Sequence, residues 1–149
     1  MKTIKLPFTT DDATLEFIVD MQRQQSSVVR VSYNLYRKGK KEKEIRDILK
    51  NHYNFGTHMD SWFVQSAIYK AKEYVKQEVE TGNTKPRIFG GKKNLERRNK
   101  GLITNKQYKQ RRLLPLYVVG EAPQKGNRKF LFQDGKIIFK PKKGIKFEL

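Results

Sequence analysis

Basic side chains in short clusters are the chemistry this sequence offers most plainly. Lys92, Lys93, Arg97, Arg98 and Lys100 crowd one stretch, and Arg111 and Arg112 adjoin. Lys125, Arg128 and Lys129 surround Gly126 and Asn127, and Lys136, Lys140, Lys142, Lys143 and Lys146 follow. A guanidinium binds phosphate through paired hydrogen bonds, whereas an ammonium acts as a mobile point charge. Glycine turns such as Gly90-Gly91 and Gly126-Asn127 can add backbone N–H groups to an anion site. The candidate nucleic-acid-binding residues are therefore Lys92, Lys93, Arg97, Arg98, Arg111, Arg112, Lys125, Asn127, Arg128 and Lys129.

The bland reading of a basic run is a solvated face. Here the bias persists too long for that. Net charge is +18 over 149 residues. Residues 1–84 carry 14 Lys+Arg and 11 Asp+Glu, whereas residues 85–149 carry 19 and 4. An excess of this size attracts polyanions at the cost of self-repulsion. Nucleic acid is the first partner to consider and an anionic membrane surface the second, with no membrane span expected because no apolar run is long enough. There is no Cys. Disulfides, thiolate zinc sites and Cys nucleophiles are thereby excluded. With no apolar leader at MKTIKLPFTTDD, the expected location is cytoplasmic.

Other chemistries find little support. His52 and His58 are the only imidazoles, too few to complete a zinc site, and capping or packing explains both. Asp11 and Asp12 fit a helix start, Asp60 a cap and Asp134 a turn, which leaves mostly surface acids such as Glu73, Glu78 and Glu80. A metal-dependent nuclease needs convergent carboxylates. The expectation is no catalytic centre, no metal and no cofactor.

The elements that must carry the basic residues follow from spacing. Ile4, Leu6 and Phe8 alternate as in a strand, with Pro7 marking an edge. Thr9-Thr10-Asp11-Asp12 predicts a helix start by a hydroxyl cap. Phe17, Met21, Gln24, Val28, Val31 and Leu35 give one helical stripe, broken at Gln24 and ending near Gly39. Ile45, Ile48 and Leu49 predict a second helix over 41–52. Thr57 to Asp60 has a capping-box shape ahead of a third, with Val64, Ile68, Ala71, Val75 and Val79 as its stripe and Gly82-Asn83 as its stop. Basic helices are predicted over 94–99 and 104–112, and a strand over 114–119. Asp134-Gly135 marks a two-residue hairpin between 128–132 and 136–140, and 144–149 offers a last short strand. Phe130, Phe132 and Phe139 are expected in the core, although outward rings would stack on unpaired bases. Trp62 and Tyr69 fit a second packing face or a stacking platform; packing is the expectation.

The strings "FGGKKNLERRNKG" and "ITNKQYKQRRLLPLYVVGEAPQKGNRKFLF" resemble the TnpB/OrfB family of insertion-sequence proteins, which look ancestral to type V CRISPR effectors. The FGGKKN turn, the basic helix, the R-R-x-x-P-L-Y entry, G-E-A and the G-N-R-K-F loop keep their order. The likeness covers residues 85–149 in detail and 1–84 only by layout. It implies an α+β fold: a small antiparallel, OB-like wedge β-barrel with an inserted three-helix bundle. Residues 1–8 would be the first barrel strand, pairing with strands after Leu114; 9–84 the helical recognition insertion; and 85–149 the basic wedge region. It further implies that the wedge grips a structured guide RNA, with Arg128 and Lys129 on the RNA side, and that the helices face an RNA–DNA duplex. The acidic RuvC-like segment and the zinc ribbon of that family have no counterpart in this sequence. The expected function is binding of structured RNA, with or without DNA, through backbone phosphates. The alternatives are a regulatory protein that occupies a separate nuclease chain or its RNA, and a DNA-binding repressor.

Overall fold

The computed structural model describes residues 7–52, 59–120 and 128–149. The first helix, α1 (Asp12–Arg37), is capped by the Asp11 carboxylate, which accepts from Thr14 N at 2.7 Å. The cap is thus the acid and not one of the hydroxyls before it. That backbone bond holds the Asp11 carboxyl below its ordinary range. A short turn leads to α2 (Glu42–His52). The third helix, α3 (Ser61–Glu80), begins at Asp60, whose side chain accepts from Trp62 N at 3.0 Å. Asp60 is itself the cap and not the last residue of a capping box; Thr57 and His58 lie outside the described residues. Helix α1 packs chiefly along α3, and Ile45 and Leu49 of α2 close the core at full burial.

The buried face of α1 is rotated from the expected stripe. Gln24 turns outward to Asp20, while Gln25, Ser26 and Ser32 are buried beside Met21, Val28, Val29 and Tyr33. Gln25 and Ser26 serve another segment, whereas the Ser32 hydroxyl has no hydrogen-bond partner among the described residues. The run 114–119, expected as a strand, forms no ladder. Its backbone is bonded instead to helix side chains. Gln25 accepts from Tyr117 N at 2.7 Å and donates to the Tyr117 and Phe63 carbonyls. Leu114 N donates to Ser26 Oγ at 2.9 Å, and Gln22 donates to Leu114 O at 2.9 Å. Val119 N donates to Ser66 Oγ at 3.1 Å, and the Trp62 indole donates to Val119 O at 2.7 Å. Buried backbone groups need partners, and here α1 and α3 supply them.

Three strands follow: β1 (Phe130–Gln133), β2 (Lys136–Lys142) and β3 (Ile145–Glu148), antiparallel in the order β1-β2-β3. Asp134 and Gly135 both have positive φ, 51° and 73°, as the two-residue hairpin demands. Pro141 sits at the β2–β3 register shift, where the N–H it lacks is not required. The register places Phe130, Phe139 and Phe147 side by side. Phe139 is fully buried, stacked on Phe130 at 4.7 Å and edge-on to Phe63 of α3 at 6.1 Å, and Phe147 meets Phe17 of α1 at 5.0 Å. Helices and sheet therefore share one core. Each fully buried ring contributes about 1.5–3 kcal/mol. Phe132, expected inside, is 70% exposed and borders a hollow with Pro7, Phe8 and Thr9.

The expected closed barrel is corrected. Among the described residues the sheet is open and three-stranded. The run that would have extended it has spent its backbone groups on helix side chains. Residues 1–6 lie outside the described residues. Residues 7–9 form no strand and line a hollow with Phe132, Gly135, Ile137 and Leu149. Among the described residues no helix is long and apolar enough to cross a membrane, and no group of three or more His, Cys, Asp or Glu could hold a metal ion.

Candidate nucleic-acid interface

The candidate basic residues that the structure describes fall on two surfaces. The first is a helical hairpin made by α4 (Lys92–Asn99) and α5 (Asn105–Arg111). Its approach is fixed by a buried carboxylate. Glu78, at 6% exposure, accepts from the Tyr33 hydroxyl at 2.9 Å and from Arg37 at 3.0 Å, and Arg87 N donates to the same hydroxyl at 2.7 Å. Arg87 also lies over the Tyr74 ring at 4.1 Å, and Phe89 packs edge-on against Tyr33. These contacts hold residues 87–89 on the bundle, so α4 starts from a fixed point. At that start Gly90 has φ +89°, and an added Cβ would sit 2.9 Å from Arg112 Cβ. The glycine is thus required by the close approach of two segments.

The hairpin uses several of its own cations. Arg98 and Arg112 lie over the Tyr108 ring at 5.1 and 5.5 Å, and Arg98 donates to Asn105 at 2.8 Å. Arg111 donates to Asn94 at 3.2 Å, and Thr104 and Gln107 complete a capping box on α5. Lys92 reaches Glu96 at 3.9 Å. Lys93 and Arg97 are exposed. Of the candidates named here, Arg98, Arg111 and Arg112 help build the hairpin.

The second surface is a groove of about 840 Å³ between the start of α3 and the end of the sheet. Arg128, Lys129, Lys140, Lys142, Lys143 and Lys146 line it with Met59, Leu131 and Ile145, and Asp60 is its one acid. Asp60 pairs with Lys129. Burial, and then the charge of Lys140, push the Lys129 ammonium below its ordinary value. Asp60 N also donates to Pro141 O at 3.0 Å, and Lys140 N to Lys129 O at 2.8 Å. The cap of α3, the entry to β1 and the middle of β2 are therefore tied at one point. Arg128 is exposed at the rim. Lys125 and Asn127 lie outside the described residues.

Arg128 and Lys129 thus share a groove, while Lys92, Lys93, Arg97, Arg98, Arg111 and Arg112 belong to the α4–α5 surface. Lys140, Lys142, Lys143 and Lys146 were part of the basic bias but not singled out by sequence; Lys140 and Lys142, two residues apart on a strand, carried the available signal. Trp62 and Tyr69 pack edge-on at 6.4 Å, with the indole tied to Val119.

Fold and surfaces define a class: an α+β arrangement in which, among the described residues, five helices precede an open antiparallel sheet, with basic side chains on a groove and on a helical hairpin. The chain matches the SSO2105 N-terminal domain over residues 1–146 and belongs to that family. No curated protein and no solved structure matches it.

Proposed function

We propose that this protein binds nucleic acid, gripping structured RNA and RNA paired with DNA through backbone phosphates. The observation that carries the reading is the groove, where six cations face one carboxylate and that carboxylate is already matched by Lys129. A lining of that sign concentrates polyanions. Lysines of the strands and the turn follow a phosphate backbone without reading bases, so the surface responds to shape and charge, and sequence choice falls to pairing with a guide. The exposed Phe132 ring on the same sheet offers a stacking face to an unpaired base. The resemblance of residues 85–149 to TnpB/OrfB proteins supports RNA as the partner.

The experiment is a titration of labelled RNA across a series of salt concentrations, with sequencing of RNA that copurifies. Log affinity should fall linearly with log salt, with slope about −0.9 per phosphate contacted on a duplex and about −0.7 on a single strand. An affinity unchanged between low and moderate salt overturns the reading. Copurified DNA in place of RNA favours the repressor, and a copurified nuclease chain the regulatory protein.

A further inference from the structure

A second basic hollow lies away from the groove and shares no residue with it. It has a volume of about 460 Å³ and is lined by Arg23 and Arg30 of α1 and by Lys106, Lys109, Gln110, Arg112 and Leu113 at α5. Five of the seven lining residues are cations, and none is an acid. Two of its residues come from the half of the chain with little net charge, so composition does not reveal them. Their seven-residue spacing puts Arg23 and Arg30 on one face of α1.

The hollow is held open by structure on both sides. Leu114, directly after α5, is clamped to α1 by Ser26 and Gln22. That clamp brings the basic face of α5 against the basic face of α1. Arg112 is further fixed over the Tyr108 ring. Bringing like charges together costs electrostatic energy, and here packing holds Lys106, Lys109 and Arg112 beside the arginines of α1, of which Arg23 also borders a hollow with Asp12, Glu16 and Asp20. An anion offsets it.

We infer that the α1–α5 cleft is a second anion site, which takes closely spaced phosphate groups. Resting on the function proposed above, those groups belong to the same nucleic acid that lies in the groove, and the protein holds its ligand at two places. A two-point hold multiplies affinity when one ligand spans both.

The test uses the full chain and a Lys106→Ala/Lys109→Ala variant, whose lysines are exposed and make none of the contacts described above. Arg23→Gln serves as an independent second variant. In one arm RNA is titrated over a salt series; the slope of log affinity against log salt should fall in magnitude by about 2 in the double variant, about 1 per phosphate-contacting lysine. In the other arm inorganic tripolyphosphate is added and amide NMR signals are followed. Signals of residues 106–113 should move in the wild type, stay in place in the double variant and move less in Arg23→Gln. An unchanged RNA slope with those shifts still present supports a phosphate site filled by free polyphosphate. An unchanged slope and no shifts at 106–113 overturn the inference. A wild type that binds no RNA sinks only the proposed function, and the tripolyphosphate arm then decides the cleft alone.

Discussion

Arg128 and Lys129 are neighbours with opposite duties, and separating them is the sharpest check on the groove. Lys129 pairs with Asp60, and the two side chains are 18% and 24% exposed. Lys129→Ala strands a partly buried carboxylate at the cap of α3. Breaking a fully buried pair costs about 3–5 kcal/mol, and an exposed pair is worth about 0–1 kcal/mol. At this exposure the loss should be about 2 kcal/mol. For a domain of this size that lowers Tm by about 4–8 °C. Arg128 is exposed, so Arg128→Ala should stay within about 0.5 kcal/mol of the wild type. Its charge-assisted contact to phosphate is worth about 1.5–3 kcal/mol, at least about tenfold in affinity. Urea unfolding and RNA titration on both variants read the two quantities separately. A Lys129→Ala protein as stable as the wild type refutes the anchoring role. A folded Arg128→Ala protein with full affinity removes Arg128 from the interface.

Gln25→Leu should cost about 2–4 kcal/mol in urea unfolding, because it leaves Tyr117 N–H and two carbonyls without their partner; a cost under about 1 kcal/mol shows that water replaces the amide. Gly90→Ala should destabilise by about 1–3 kcal/mol, from positive φ and the contact with Arg112, and a neutral result shows that the 90–112 approach is loose. Tyr36 is pushed up to about 12, first by burial and then by the Glu42 charge. Its folded value is raised, so stability should fall as pH climbs from about 10 towards 12, where the unfolded chain has lost the proton that the folded one keeps. Ultraviolet titration should lose its highest tyrosine step in Tyr36→Phe; an unchanged profile assigns that step elsewhere.

Local pattern was enough for α1, α2, α3, the basic helices and the β1–β2 hairpin, because each is specified by neighbours in sequence. The Asp134-Gly135 turn is the clearest case, since its positive φ values follow from the residue types themselves. It was not enough where the partner lies far along the chain. Gln25 and Tyr117 are 92 residues apart, and nothing near 114–119 shows that its backbone is already engaged. The run 114–119 is expected as a strand, and the barrel implied by the resemblance needs strands after Leu114 to close. On α3 the expected stripe holds at Val64, Ile68 and Ala71 and fails at its last residue. Val79, on the expected stripe, is 76% exposed, while Glu78 is buried because Tyr33, Arg37 and Arg87 converge on it. At the interface, sequence separated the basic half from the neutral half. It could not sort cations that hold the hairpin together from those left facing outward, nor reveal that two arginines of α1 meet α5.

One feature of α3 bears on how this protein can change over generations. The connection between Val119 and Lys129 has both of its feet on that helix: Trp62 and Ser66 hold the first, and Asp60 holds the second. Chain added between fixed feet costs little, because closure entropy grows only with the logarithm of length. Lengthening between the two feet is therefore cheap so long as Asp60, Trp62 and Ser66 keep their contacts. A change at one of those three residues, by contrast, is felt where the 114–119 run or the entry to β1 meets α3.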